Sequence, residues 1–332
     1  MFSQSYFDLI SAKRGKALYV IACGERMTKL DVKERAGLSM STVIAAVGSL
    51  RAAGLVTVAE RRVPGGGKPH SVIDAATDKC VFGISYKAGK LYAAALDLGG
   101  RVLSRRTMTP SEGASAEVAI TTLFSRLSES APKPIAIGVA LTYADRDSLV
   151  RALSEEYGAS VTCLTNTQSV AYRAVWQGGN YPLAVIGIGR RVKCAFLDER
   201  CRRVADLSDL TLAPAFSSER GIASLLSAPC VERTLFDRSY GGHYLYDKGD
   251  FSECRDLSDY SRLLVQAIVG TVGAVQALSD PKEIRLFGDY ITRGFFDRIS
   301  EACPVPLLRE EGDGEGFACG AAIAAMTECV FV

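Results

Sequence analysis

The chain has 332 residues, 48% of them hydrophobic and 23% charged, which excludes a disordered segment or a lone small module and leaves room for two or three domains. Its 39 basic and 37 acidic side chains give a formal charge of +2, but residues 1–75 hold 11 Lys/Arg against 6 Asp/Glu while the remainder holds 28 against 31. A basic head on a mildly acidic body points to a polyanion partner for the head. The ten cysteines, at 23, 80, 163, 194, 201, 230, 254, 303, 319 and 329, include no Cys-x-x-Cys pair. In a chain too large to need disulfide staples they read as reduced cytosolic thiols, mostly core fillers. Met1 to Lys16 lacks an apolar run of signal-peptide length, and the stretch Leu263 to Leu278, broken by Gln266 and Gln276, reads as too short to span a bilayer. Export and membrane insertion are not expected, and the localisation is read as cytoplasmic.

In chain order, Lys16 to Glu25 carries Leu18, Val20, Ile21 and Cys23, enough for one short buried helix. Thr28, with Asp31 three residues on, forms a capping box for a second helix that stops at Gly37. Ser39 caps a third helix in which Val43, Val47 and Leu50 make one buried stripe, ended by Gly54. The Gly-containing turn with Leu38 is the device that sets two helices at a steep angle in a helix-turn-helix. A strand Leu55 to Arg62, the tip Pro64-Gly65-Gly66-Gly67-Lys68-Pro69 and a strand Ser71 to Ile73 complete a winged helix-turn-helix over residues 1–75.

In that arrangement the third helix enters the major groove of double-stranded DNA with Ser39, Met40, Ser41, Thr42, Ile44 and Ala45, while Arg61, Arg62 and Lys68 of the wing reach phosphates or the minor groove. Winged helices also serve as dimerisation or docking modules, and the basic excess weighs for DNA. The third helix is short of Arg, Asn and Gln, the side chains of bidentate base readout, and Gly48 interrupts it, so reading rests on small contacts, the wing and DNA shape. Lys33 stands where the motif usually keeps a small buried residue.

Past Asp78 the period becomes that of strands. Val81 to Tyr86, Leu91 to Asp97 and Val102 to Met108 form an antiparallel meander, followed by a helix Ala114 to Ser130, a strand Pro134 to Leu141, a helix Asp145 to Tyr157 and a strand Ser160 to Leu164. The theme restarts with Leu183 to Ile188, Val192 to Leu197 and Arg203 to Asp206. Two such halves predict a duplicated α/β body, the architecture of actin-like sugar kinases.

The head with its turn AGLSMSTV, the wing ending in Gly-Gly-Gly-Lys-Pro and the body opening VFGISYKAGKLYAAALDLGGRVL resemble the ROK family of repressors, open reading frames and kinases, from about Thr28 to the C-terminus. The resemblance implies an α/β fold: a winged helix-turn-helix followed by a two-lobed actin-like (ribonuclease H-like) ATPase body over residues 76–332. Its first lobe would span about 76–165 plus 315–332, and its second about 166–314. The resemblance also implies parts that this chain has changed. Asp97-Leu98-Gly99-Gly100 is kept, but Ser85 replaces the nucleotide-loop Asp, and Lys87 and Ala88 its glycines. At the catalytic base, Asn166-Thr167-Gln168-Ser169 keeps the Asn and places Thr167 where an Asp takes the sugar proton. A hydroxyl cannot do this near pH 7, and losing a general base typically costs about 10² to 10⁴ in rate. Gly187-Ile188-Gly189-Arg190-Arg191 has two cations in the second phosphate loop, read as a charged hairpin tip or an anion site. Leu207 to Val231 has no His and only Cys230, so neither the family's sugar-binding His nor its zinc site can be built there. His70 and His243 read as surface residues. Gly288-Asp289 and Gly320-Ala321-Ala322 keep fold-forming turns.

The reading is therefore a DNA-binding regulator with a catalytically silent body, no cofactor and no metal, acting as a homodimer on two half-sites. Thr142, Asp145, Asn166 and Thr167 line the cleft in which a sugar or other small effector would bind. The alternatives are a sugar kinase carrying a DNA-binding head and a protein-interaction scaffold.

Overall fold

In the computed structural model of the chain, residues 2–61, 70–111, 113, 115–141, 146–198, 202–207, 223–227, 229–231, 233 and 255–332 are described. They fall into two units, Met1–Gly178 with Asp313–Val332, and Gly179–Gly312.

The first unit begins with α1 (Gln4–Leu9), an element the sequence reading did not contain. Then come α2 (Lys13–Cys23), α3 (Lys29–Ala36) and α4 (Met40–Ala52), followed by the hairpin β1 (Val56–Arg61) and β2 (His70–Ala75). α2 starts three residues earlier than expected because its N-cap, Ala12, offers no side-chain hydrogen bond and so leaves no mark in the sequence. Met27 and Ile73 exchange both backbone hydrogen bonds, 3.0 and 2.7 Å, and so tie the start of the α3 segment to the wing.

Next come β3 (Cys80–Lys87), β4 (Lys90–Asp97), β5 (Val102–Met108), α5 (Ala116–Ser128), β6 (Pro134–Ala140), α6 (Arg146–Tyr157), β7 (Ser160–Leu164) and α7 (Asn166–Trp176). The strands form one sheet in the order β5-β4-β3-β6-β7, antiparallel through the meander and parallel from β3 to β7. On one face Phe82, Ile84, Ala93 and Val139 pack with Phe124, Leu123, Leu153 and Tyr157 of α5 and α6. On the other lies the closing helix α11 (Gly314–Ala325), approaching so closely that a Cβ on Gly83 would stand 2.0 Å from the Ala318 carbonyl oxygen. α7 crosses α11 at equally short range, since a Cβ on Gly320 would meet the Ser169 carbonyl at 2.0 Å. α7 therefore belongs to the first unit, although the sequence placed the lobe border before it, near residue 165.

The second unit holds β8 (Leu183–Ile188), β9 (Val192–Leu197), β10 (Arg202–Asp206), α8 (Ala223–Leu226), α9 (Arg255–Ser279), β11 (Glu283–Gly288), α10 (Arg293–Ala302) and β12 (Leu307–Arg309). Its sheet order is β10-β9-β8-β11-β12, with β11 parallel to both β8 and β12. α9 corrects the expectation of a short apolar stretch. It is 25 residues long, and Tyr260–Ser279 is apolar enough by length and composition to cross a membrane. Here Leu264, Ile268, Val272 and Val275 make a helical stripe that packs with Ile186, Leu286 and Phe295 in the unit's core.

Candidate functional site

The head presents one helix outward, and its local sequence explains how. The Thr28 hydroxyl accepts from the Asp31 amide at 3.2 Å, and the Asp31 carboxylate accepts from the Thr28 amide and hydroxyl at 2.7 Å each, closing the capping box on α3. Those hydrogen bonds, the backbone one first, hold the Asp31 carboxyl below its ordinary value. Gly37 ends the helix in the left-handed conformation, at φ 61°, with its amide donating to the Lys33 carbonyl. Lys33 is exposed, and Val32 and Ala36 carry the buried side, so the cation occupies no core position. Leu38 in the turn is half-buried.

Ser39 then caps α4, accepting from the Thr42 amide at 3.2 Å. Its hydroxyl also bonds the hydroxyls of Ser41 at 2.9 Å and Thr42 at 2.8 Å. Val43, Ala46, Val47 and Leu50 are buried. The opposite face carries Met40, Ser41, Ile44, Ala45 and Gly48, all exposed, with Ile44 at 51% and Met40 at 37%. The DNA-facing residues read from α4 thus share one helix end, with Thr42 half-buried among them. β1 and β2 pair in antiparallel register from Val56↔Ala75 to Arg61↔His70. Arg62 and Lys68 lie outside the described residues, and of Arg61 only the backbone, the last of β1, is described.

In the body, Asn166 opens α7 under a second capping box, in which Thr165 and Gln168 satisfy each other's backbone amides. Asn166 Oδ1 is buried and, among the described residues, has no hydrogen-bond partner. Thr167 beside it is buried, and the Ser169 hydroxyl donates to the Asn166 carbonyl at 2.7 Å. Thr142 and Asp145, the other residues read into this cleft, lie outside the described residues, as does most of Leu207 to Val231.

At the end of β3, Ser85 is fully buried, and its hydroxyl donates to the Gly314 carbonyl at 2.6 Å, binding the strand to the first turn of α11. A carboxylate here would have no proton to give that carbonyl. Ala88 and Gly89, both at positive φ (50° and 78°), form the turn to β4, and Lys87 Nζ lies 5.7 Å from the Phe317 ring centroid. This constellation does not fit a phosphate-bound metal, because a neutral hydroxyl whose proton goes to the Gly314 carbonyl stands where the metal calls for a carboxylate. A zinc site fits no better, with Cys230 the sole Cys or His in its expected stretch. Among the described residues no group of three or more His, Cys, Asp or Glu could hold a metal ion.

Sequence reasoning missed one feature, a cavity of about 560 Å³ in the first unit lined by Leu96, Val102, Arg105, Arg173, Trp176 and Asp313 among others. Arg105 pairs with Glu315 at 3.2 Å, and Arg173 with Asp313 at 3.7 Å. Cys319 also faces it, its thiol pushed up by burial against the opposing pull of Arg105. The residues are drawn from positions 96 to 323, so no local pattern announces them.

The chain matches no protein-family model, and no curated protein matches it. Solved structures do. A ROK family transcriptional regulator, described as a homologue of the E. coli MLC protein, superposes with a TM-score of 0.71 at 13% identity over 98% of each chain. A ROK hexokinase from Thermus thermophilus gives 0.59 at 20% identity, covering 75% of this chain and 98% of its own. A ROK family glucokinase from Streptomyces griseus, solved with glucose and AMPPNP, gives 0.56 at 17% identity, covering 74% and 99%. The likeness establishes the fold: a helical head with a hairpin wing on an α/β body of the actin-like kind.

Proposed function

We propose that the protein is a cytoplasmic transcriptional regulator of the ROK family, binding double-stranded DNA as a homodimer through its head and carrying a body that does not phosphorylate sugars. The observation that carries this reading is the outward face of α4 beside a hairpin wing, in the part of the chain that holds the basic excess. The coverages support it. The regulator spans nearly the whole chain, whereas each kinase leaves about a quarter of it unmatched, and residues 1–75 are a segment of that size.

For the body, the kinase reading needs a carboxylate at two places. Thr167 stands at one, and at the other the Ser85 hydroxyl is bonded to the Gly314 carbonyl. With Thr142, Asp145 and Thr167 read from the sequence into the same cleft, Asn166, whose Oδ1 has no partner among the described residues, is the residue left to meet an effector. Without the family's His and zinc support, a hexose would lose hydrogen bonds of roughly 1.5 to 3 kcal/mol each, so weak or altered sugar binding is expected.

Gel retardation with the full chain tests the DNA reading. Specific retardation by DNA from upstream of its own gene is expected, weakened by Arg61→Ala with Arg62→Ala. Affinity should fall about 10³- to 10⁵-fold between about 50 and 200 mM salt if about 6 to 10 phosphates are contacted. No retardation of any sequence at low salt defeats the proposal. ATP-dependent sugar phosphorylation that Thr167→Val abolishes would restore the kinase reading.

A further inference from the structure

The outward face of α4 carries chemistry unusual for a basic head. The hydroxyls of Ser39, Ser41 and Thr42 are engaged with one another around the helix start. That leaves Met40, Ile44 and Ala45, on adjacent i, i+4 rows, as the outermost side chains, followed by Gly48 with nothing within 4 Å of where its Cβ would be. No Lys, Arg, Asn or Gln lies between Ser39 and Ser49. Holding an isoleucine half exposed in the second turn of a helix gains nothing for the fold, whose core side is complete with Val43, Ala46, Val47 and Leu50. The nearby exposed charges are Lys33 and Arg35 on α3 and Arg51, seven residues beyond Ile44 in the last turn of α4. Phosphate-seeking cations near an apolar face fit a major groove, where one base alone offers an apolar group, the 5-methyl of thymine.

Resting on the DNA-binding reading above, we propose that α4 reads thymine methyl groups, with Ile44 as the principal contact and Met40 and Ala45 beside it. The preferred half-site is then defined by T·A pairs at the α4 footprint, and not by guanines held by bidentate side chains. Small side chains and Gly48 let the helix axis sit close to the base edges, as a methyl contact requires and a long Arg or Gln would not.

The test uses the full-length protein to select its preferred duplex from a randomised pool, after which single thymines in the half-site are replaced by deoxyuridine, which lacks the methyl. One or two positions per half-site should lose about fourfold in affinity each, the worth of one buried methyl, and about 15-fold when both half-sites are changed together. In Ile44→Ala the ratio of affinities for thymine and uracil duplexes should fall to about one at the same position. Because Ile44 is half exposed the variant keeps its core, and Met40→Ala provides a second, independently placed truncation. A selected duplex whose affinity ignores every thymine-to-uracil exchange overturns the methyl reading while leaving DNA binding intact. A uracil effect that persists undiminished in both variants overturns the assignment to α4. Failure to select any sequence overturns the DNA reading itself, and this proposal with it.

Discussion

The hydroxyl of Ser85 stands where the resemblance to the ROK kinases implies a nucleotide-loop carboxylate. It lies inside the protein, and its proton goes to the Gly314 carbonyl at 2.6 Å. Exchanging it for the carboxylate that a ROK kinase would carry puts an unpaired charge next to a carbonyl oxygen, in a place without water. Ser85→Asp should therefore lower stability by about 3 kcal/mol or more, while Ser85→Ala, which removes one hydrogen bond, costs about 1 kcal/mol. Urea unfolding of the two variants decides the matter, since equal stability of Ser85→Asp and the parent would mean that the site still accepts a carboxylate. The sequence identified the replaced residue but not what its hydroxyl does, because Gly314 lies 229 positions away.

Helices that carry their own stop and start signals were legible. Thr28 with Asp31 and Ser39 with its neighbours form the caps read from the sequence, and the β3-β4-β5 meander follows from its alternation and its turn glycines. Illegible were elements whose limits are set by tertiary contact. α2 begins at a cap without a side-chain bond, and α9 runs on to 25 residues because a buried stripe supports it. Gly48 offers a measurement at this scale. It sits in a helix, exposed, with nothing near its missing Cβ, so Gly48→Ala should stabilise the fold by about 1 kcal/mol through helix propensity alone. If α4 lies against base edges, the same methyl should weaken specific DNA binding. Higher stability with lower affinity is thus expected from thermal unfolding and gel retardation, and a stabilised variant of unchanged affinity would place this face away from the groove.

For the whole molecule, the consequential finding is that head and first lobe share a core. α1 is pinned at Ser3, whose hydroxyl donates to the Val175 carbonyl of α7 at 2.8 Å and whose amide donates to Tyr19 Oη at 2.7 Å. Tyr6 is fully buried, set edge-on to Trp176 with ring centroids 4.4 Å apart and hydrogen-bonded to Thr327 at 2.6 Å, and burial pushes its hydroxyl well up in pKa. Tyr19 and Phe331 complete the cluster. From sequence, residues 1–75 read as a separable module, because nothing local shows that an N-terminal tyrosine reaches a helix 170 residues on and the C-terminal turn. A shared core makes head and lobe unfold together, so in urea the emission of Trp176, the chain's one tryptophan, and the helical circular dichroism should change at the same midpoint. Tyr6→Ala removes the keystone at a cost of about 3 to 5 kcal/mol, and should split the curve, with the Trp176 signal moving first as the head detaches. Tyr6→Phe keeps the ring, loses only the bond to Thr327, and should shift a still single transition by about 1 kcal/mol. If Tyr6→Ala instead leaves both signals coincident and the midpoint unmoved, the head is held to the lobe by something other than this aromatic cluster.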